Sequence, residues 1–301
     1  MNKQNIVVTG AGGTLCSVIA VDFAKQGHNV VLVGRSLDKL QKVEEEIRSF
    51  GGSCVCITAD VKDEARMMQV REEVHKVYGP VTILINGAGG NQPDAVTTIN
   101  EFDPKELTDD REGLRGFFNL DMKKFLDVIE INTLGTVIPS RVFALDMIEQ
   151  GHGNIINFAS MNTYRPLSRV PAYAIAKAGV SNFTQWLAAY LAPAGIRVNA
   201  VAPGFFVNER SKKLLTTPEG GLTSRGQHIN YNTPMHRFGE AKELIGCVNW
   251  LVNDEAASFV SKSSKDINCT GGTPLDFVHT ALSKSLFVMI SRSSIKNARS
   301  V

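Results

Sequence analysis

The stretch "VVTGAGGTLC" (residues 7–16) joins the first β-branched run of the chain to its first helical pattern. Gly10, Gly12 and Gly13 lie in the turn, where glycine permits positive φ and lets a pyrophosphate approach the backbone closely. The helix behind the turn offers free N–H groups and a favourable dipole to an anion. Tight βα turns also need glycine for steric reasons, but the position after a first strand favours nucleotide binding, with Thr14 and Leu15 as further contacts.

Short strand-like runs alternate with helical patterns along the rest of the chain. We predict strands over residues 5–9, 29–33, 54–58, 82–86, 154–158 and 196–201, and helices over 14–26, 37–49, 63–78, 121–150, 172–192 and 240–253. Strands that are apolar on both faces and separated by helices form a parallel sheet covered on both sides. No linker divides the chain. We therefore expect an α/β fold, a doubly wound parallel sheet (Rossmann-like), with residues 1–260 as a single domain and helices on both faces.

The composition excludes several classes of protein. The 301 residues carry a net charge of +2, so no basic field indicates a nucleic-acid partner. We expect no apolar run to be long enough to span a bilayer, and the N-terminus does not resemble a signal peptide. The five cysteines are scattered without the spacing of a zinc site, and we expect no metal. These features predict a cytoplasmic protein without a membrane partner.

The end of the second strand bears on cofactor choice. An acidic residue at this point bonds the ribose hydroxyls of NAD, but this chain has Gly34, Arg35 and Ser36. Arg35 and Ser36 suit the 2′-phosphate of NADP, whereas the alternative is a solvated arginine at a strand end. We predict NADP, with NAD as the less favoured cofactor.

Two later strand ends supply further candidate cofactor contacts. Asp60 and Val61 follow the third strand, where the Asp60 carboxylate could meet the adenine amino group. "NGAGG" (residues 86–90) follows the fourth strand, and Asn86, Gly87 and Ala88 are the candidates there. Ordinary turn chemistry would explain either segment alone.

A pair of ionisable side chains interrupts the small-residue run "AYAIAK" (residues 172–177). Tyr173 and Lys177 stand four residues apart and share one face of a helix. Ser160 ends a strand thirteen residues before Tyr173, and Asn132 lies on the preceding long helix. Singly, these residues could be a snorkelling pair, a turn serine and a polar group at a helix bend.

Together these motifs resemble the short-chain dehydrogenase/reductase family. The matching features over residues 5–260 are "TGAGG", "TAD", "NGAGG", "INTLGT", the spacing from Ser160 to Tyr173, "YAIAK" and "NAVAPG". The resemblance implies an NAD(P)-dependent oxidoreductase that transfers a hydride between a nicotinamide and a ketone or secondary alcohol. It implies that Tyr173 is the proton donor, Ser160 bonds the substrate carbonyl, Lys177 bonds the nicotinamide ribose, and Asn132 holds a water that relays protons. Pro203 and Gly204 would line the nicotinamide site.

The expected chemistry needs an acid of suitable strength. Tyrosine has an ordinary pKa near 10. A lysine cation roughly 5 Å away would favour the phenolate by about two pK units at an effective dielectric of ~20. We therefore expect Lys177 to lower the pKa of Tyr173 toward a useful range.

The chain departs from the family pattern at four positions. Thr14 and Cys16 stand where the usual phosphate loop has glycine, and Gly87 stands where asparagine is more usual. Asn208 replaces the threonine that holds the nicotinamide carboxamide and can make similar bonds.

The long connection over residues 90–121, with "SMNTYRPLSRVPAYAIAKAGVSNFTQWLA" (residues 160–188), resembles the branch of the family that acts on fructuronate and mannonate. A polyhydroxy acid needs a cation for its carboxylate and polar groups for its hydroxyls. Asn91, Ser160, Asn162 and Arg169 are the candidate substrate contacts. The alternatives are a 3-oxoacyl-carrier-protein reductase, another sugar or polyol dehydrogenase, and a catalytically silent nucleotide-sensing regulator.

The C-terminal segment does not follow the family pattern. After residue 260 the family runs through a last strand and soon stops, whereas this chain continues to residue 301. We expect residues 261–301 to be atypical and partly disordered. Family members are homo-oligomers, so a dimer or tetramer is expected, weakened by this C-terminus.

Overall fold

The computed structural model describes residues 3–108, 113–165, 167–207, 215–218, 220–261 and 267–269. The strands are β1 (Asn5–Thr9), β2 (Asn29–Gly34), β3 (Ser53–Thr58), β4 (Ile83–Asn86), β5 (Gly153–Phe158), β6 (Ile196–Pro203) and β7 (Ile267–Cys269). The helices are α1 (Thr14–Lys25), α2 (Leu37–Ser49), α3 (Glu64–Val77), α4 (Met122–Gln150), α5 (Pro171–Leu191), α6 (Ser224–Asn232), α7 (Ile245–Val252) and α8 (Asp254–Ala257).

All seven strands form one sheet in the order β3-β2-β1-β4-β5-β6-β7. Every neighbouring pair is parallel. The strand order reverses between β1 and β4, and ligands of such sheets bind at the carboxyl ends of the strands beside this point. The predicted α/β fold with a doubly wound parallel sheet is confirmed.

Alternation along β1 shows how both faces of the sheet are covered. Ile6 and Val8 pack in a core with residues of α1, α2 and α7, whereas Val7 packs in a second core with residues of α3, α4 and α5. All three side chains are fully buried. Successive residues of a strand point to opposite faces, so a β-branched run without polar interruptions requires helices on both sides.

Helix α4 has the length that the sequence predicts, but it is more apolar than the sequence analysis expected. Its 29 residues include a window with a mean hydropathy of 1.3, so by length and composition alone it could cross a membrane. The expectation that no segment qualifies was therefore wrong. Half of that window is buried within the fold, as in the core helix of an α/β domain, and such helices pass the same test.

The long connection over residues 90–121 folds against the rest of the domain. Its short 3₁₀ turns are Pro93–Ala95 and Pro104–Leu107. The Arg115 guanidinium holds the later part of this connection against the first turn by donating to the backbone oxygens of Val96 and Pro93, at 2.7 and 2.8 Å. Buried Glu106 accepts from the backbone N–H of Phe118 at 3.0 Å.

Two features near the C-terminus were not among the predicted elements. The helix predicted over residues 240–253 begins as a 3₁₀ turn, Ala241–Leu244, and continues as α7. Within the segment expected to be atypical, β7 pairs with β6 in parallel, with Cys269 beside Pro203. The expectation for residues 270–301 concerns a segment that lies outside the described residues.

Candidate active site

A cleft runs along the carboxyl ends of the central strands. Its two halves have cavity volumes of about 210 and 300 Å³. Both halves are lined by Gly10, Gly13, Gly87 and Gly89, so the loops after β1 and β4 form their common floor. The first half extends to the end of β2, and the second extends to Ser160, Tyr173 and Lys177. Residues predicted to bind the cofactor and residues predicted to react therefore meet in one cleft.

The floor of the cleft requires glycine. Gly10 has a φ of +67°, and a Cβ there would lie 2.8 Å from the backbone nitrogen of Ala88. The Thr9 hydroxyl ties the two loops together because its oxygen accepts from Gly87 N and Ala88 N, at 3.1 and 3.2 Å. A backbone surface at the first helix N-terminus fits a pyrophosphate. Thr14 and Leu15, at the start of α1, line the second half.

The first half of the cleft ends in a cationic corner. Gly34, Arg35 and Ser36 line it, as predicted for a cofactor site. Lys39, which the sequence analysis missed, lines the same corner from the first turn of α2. Its four-residue spacing from Arg35 was the available signal. The residue types present thus fit the adenosine end of a nicotinamide dinucleotide.

Among the described residues, two predicted cofactor contacts, Asp60 and Asn86, do not line the cleft. The Asp60 carboxylate accepts from Lys62 N at 3.0 Å, whereas its neighbour Val61 does reach the cleft. Asn86 is buried and donates to Ser140 Oγ at 2.8 Å. Asn208 lies outside the described residues.

Other lining residues complete the cofactor side of the cleft. Ala88 lines the first half, and Pro203, Gly204 and Phe206 line the second. Cys16, which replaces the family glycine, also lines the second half. Burial raises the pKa of the Cys16 thiol to about 12, so this thiol stays neutral.

Helix α5 places Tyr173 and Lys177 in the second half of the cleft. The Lys177 ammonium is buried, donates to the backbone oxygen of Phe158 at 2.7 Å, and lies 5.6 Å from the centre of the Tyr173 ring. Burial lowers the pKa of Lys177 to about 8. A desolvated ammonium at this position suits contact with a polar cofactor group.

The expectation that Lys177 lowers the pKa of Tyr173 was wrong. Burial raises the pKa of Tyr173 above its ordinary value, and the hydrogen bond from Ser160 offsets part of that rise. The reason is that the phenol and the ammonium are desolvated together, which disfavours the charged form of both. Ser160 and Tyr173 line the same half of the cleft, so the fold brings these two predicted catalytic residues together.

Asn132 lies fully buried on α4 and holds the loop after β4. Its Nδ2 donates to the backbone oxygen of Gly90 at 2.7 Å, and its Oδ1 accepts from Gly90 N at 3.1 Å. A Cβ placed on Gly89 would lie 2.5 Å from Asn132 Oδ1 and 3.5 Å from Lys177 Nζ. Asn132 therefore lies beside Lys177, and its proton-relay role stays a prediction.

The predicted substrate residues, other than Ser160, lie around the cleft rather than in its described lining. Asn91 Oδ1 accepts from Gln92 N at 2.9 Å. Arg169 has a φ of +73°, and its Nε donates to Asn100 Oδ1 at 2.7 Å, where the connection over residues 90–121 meets the loop before α5. Asn162 is buried beside Ser160.

Comparison with known proteins identifies close relatives. The family model of the short chain dehydrogenases matches residues 4–219. An uncharacterized oxidoreductase of Haemophilus influenzae is 43% identical over 261 residues, which cover 87% of this chain and 90% of the relative. A 3-oxoacyl-carrier-protein reductase of Staphylococcus epidermidis is 30% identical over 90% of this chain and 99% of the relative.

Among solved structures, a candidate D-mannonate oxidoreductase, also from Haemophilus and with NAD bound, superposes with a TM-score of 0.81. It is 41% identical, and the match covers 86% of this chain and 91% of the other.

Proposed function

The chain belongs to the short chain dehydrogenase family, and within that family we propose that it reduces the keto group of a sugar acid of the fructuronate type, using NADPH. As a family member it is an NAD(P)-dependent oxidoreductase acting on a CH–OH group. The observation that carries the proposal is the meeting of Ser160, Tyr173 and Lys177 with the glycine floor in one cleft. The corresponding mannonate-type alcohol is the product.

The side chains divide the work at the reacting carbonyl. When bound, the reduced nicotinamide supplies the hydride. The Ser160 hydroxyl donates a hydrogen bond to the carbonyl oxygen as negative charge grows there, and the Tyr173 phenol delivers the proton. Lys177, held by the Phe158 carbonyl, positions the nicotinamide ribose, and Asn132 supports a water that returns a proton toward Lys177.

The sugar-acid assignment is supported by similarity and by residue chemistry. The solved structure with a TM-score of 0.81 bears the name of a mannonate enzyme. Arg169 lies beside the cleft, outside its described lining, and one of its five N–H donors is used on Asn100. The others suit a carboxylate, and Asn91 suits a substrate hydroxyl. Both residues lie where the long connection adjoins the site.

The cofactor assignment rests on the corner formed by Arg35, Ser36 and Lys39. Two cations and a hydroxyl suit a 2′-phosphate, and Gly34 offers no carboxylate to an NAD ribose. The Haemophilus structure holds NAD, whereas we propose NADPH for this chain, so the cofactor preference has to be measured directly.

A substrate panel tests the proposed function. D-Fructuronate, 5-keto-D-gluconate, D-xylulose and acetoacetyl-CoA would each be supplied with NADPH and with NADH, and kcat/KM would be determined. We expect fructuronate with NADPH to give the highest value. A higher value with acetoacetyl-CoA would favour the carrier-protein reductase, which the Staphylococcus relative supports as the second candidate. If the protein reduces none of these ketones, the result would favour a catalytically silent nucleotide-sensing regulator.

We also propose that the protein works as a homo-oligomer in the cytoplasm. Helix α5 exposes a row of stacked rings, with centroids of Trp186 and Tyr190 4.9 Å apart and both side chains more than half exposed. Such a row on one helix suits burial against a second copy. Four cysteines, Cys16, Cys54, Cys56 and Cys247, are free thiols, which suits a reducing compartment. Light scattering would report the assembly.

A further inference from the structure

We propose that Asn162 is a positioning residue that aims the hydroxyl proton of Ser160 at the reacting oxygen. This inference rests on the proposed function, in which Ser160 donates to the substrate carbonyl. It assigns Asn162 a task other than the direct substrate contact predicted from the sequence.

Asn162 approaches Ser160 with two N–H groups. Its backbone nitrogen donates to Ser160 Oγ at 3.2 Å, and its side-chain Nδ2 lies 3.4 Å from the same oxygen. The Asn162 side chain is only 6% exposed. Its Oδ1 accepts from Leu167 N at 2.9 Å, so both ends of the amide are engaged within the loop.

These contacts decide which way the serine hydroxyl points. A hydroxyl has one proton to donate and two lone pairs that accept. Because Asn162 donates to Ser160 Oγ from two directions, the acceptor side of that oxygen is occupied. The proton is thereby directed away from Asn162 and toward the part of the cleft that Ser160 lines together with Tyr173.

A fixed donor is worth more to catalysis than a rotating one. An oriented hydrogen bond needs no reorganisation when charge develops on the substrate oxygen. Asn162 also accepts from Leu167, so the same amide sets the path of the loop between Ser160 and α5. A substitution must separate these two tasks.

Asn162→Asp separates them. Aspartate retains an oxygen to accept from Leu167 N but has no side-chain N–H, so the Ser160 hydroxyl would turn and donate to the new carboxylate. We expect kcat to fall roughly a hundredfold, as when one oriented donor is lost, with KM changed less than about threefold. The cofactor dissociation constant should not change, and this shows that the variant is folded.

The same substitution in a Ser160→Ala background provides the decisive comparison. Without the hydroxyl there is nothing to aim, so Asn162→Asp should change kcat less than about threefold there. The alkaline limb of the pH profile should move upward in the single variant only, because Tyr173 loses the donor that lowers its pKa. Asn253→Asp, which keeps its capping oxygen for Glu255 N, is the matched control and should leave kcat unchanged.

An equal loss from Asn162→Asp in both backgrounds would overturn the inference and assign Asn162 to direct substrate contact or to loop structure. Near-wild-type kcat in the single variant would also overturn it. The measurements use D-fructuronate, or the most rapidly reduced ketone of the panel if fructuronate is not turned over. Failure of the substrate assignment is thus separate from failure of the positioning role, and an active Ser160→Ala enzyme would instead contradict the proposed role of Ser160.

Discussion

The sulphur of Cys16 fills the space beside Gly87. A Cβ at position 87 would lie 2.0 Å from Cys16 Sγ, far inside van der Waals contact. The cysteine in the first loop and the glycine in the second both depart from the family pattern, and each compensates for the volume of the other. The Cys16 side chain, at the start of α1, fills the space that a side chain at position 87 would occupy, so the cleft floor stays closely packed.

This relationship predicts that Gly87→Ala disturbs the floor and Cys16→Gly repairs it. Overpacking costs about 1–3 kcal/mol, so Gly87→Ala should weaken NADPH binding by roughly tenfold or more. The double variant should recover most of that loss, as nicotinamide fluorescence would measure. Gly246→Ala is the matched control, because its added methyl group meets no atom within 4 Å. A double variant no better than Gly87→Ala would contradict the compensation.

Cofactor preference is predicted to depend on Arg35. A charge-assisted hydrogen bond contributes roughly 1.5–3 kcal/mol, so NADPH should bind about ten- to a hundredfold more tightly than NADH. Arg35→Ala should remove most of that preference, and Lys39→Ala a smaller part. Gly34→Asp combined with Arg35→Ala should reverse it, with a slight shift of Leu40, whose Cδ2 lies 3.2 Å from the new Cβ.

The test is to measure four dissociation constants, those of NADPH and NADH with the wild type and with the double variant. Tighter binding of NADH by wild type, or NADPH affinity unaffected by Arg35→Ala, would show that Arg35 points into solvent.

We predict that Arg169 binds the carboxylate of the substrate. Arg169→Ala should raise KM for a keto acid by roughly tenfold or more while changing KM for its neutral alcohol analogue much less. Because Arg169 Nε also holds Asn100, Asn100→Ala shows how much of the effect comes from the loop junction. Equal effects of Arg169→Ala on the charged and neutral substrates would exclude a carboxylate contact.

Lys177 is predicted to destabilise the domain at neutral pH. Its pKa falls from 10.5 to about 8 on burial, so the unfolded state binds more protons between these values and stability rises with pH across that window. Below pH 8 the full cost of the buried cation, about 3 kcal/mol, is present.

Lys177→Met should therefore raise the melting temperature at pH 7. The net gain is about 2 kcal/mol after loss of the bond to the Phe158 oxygen. The advantage should shrink by pH 9, and differential scanning calorimetry at both pH values measures it without substrate or cofactor. A gain that is constant with pH, or a loss at pH 7, would contradict the buried-cation account.

The strands and most of the helices could be predicted because their signals are local. A β-branched run such as residues 29–33 has few other structures available in an α/β chain. The split at Ala241–Leu244 was missed because a continuous apolar periodicity does not distinguish a 3₁₀ turn from the first turn of a helix. The strand β7 was missed because three residues without clear alternation carry too little pattern.

The candidate site was predictable in its residues and less so in its electrostatics. Spacing placed Tyr173 and Lys177 on one helix face, but only the folded environment shows that both are desolvated, which reversed the expected direction of the Tyr173 pKa. Likewise, proximity in sequence put Asn162 beside Ser160, whereas the direction of its hydrogen bonds depends on how the loop up to Leu167 folds back.

The central claim is that Tyr173 delivers the proton in a hydride-transfer reaction, and Tyr173→Phe tests it most directly. Phenylalanine keeps the ring and removes only the acid, so kcat for D-fructuronate reduction should fall by about 10²–10⁴-fold. The dissociation constant for NADPH, measured on the same preparation by nicotinamide fluorescence, should stay within about threefold of wild type. A kcat within about tenfold of wild type in Tyr173→Phe would contradict the account.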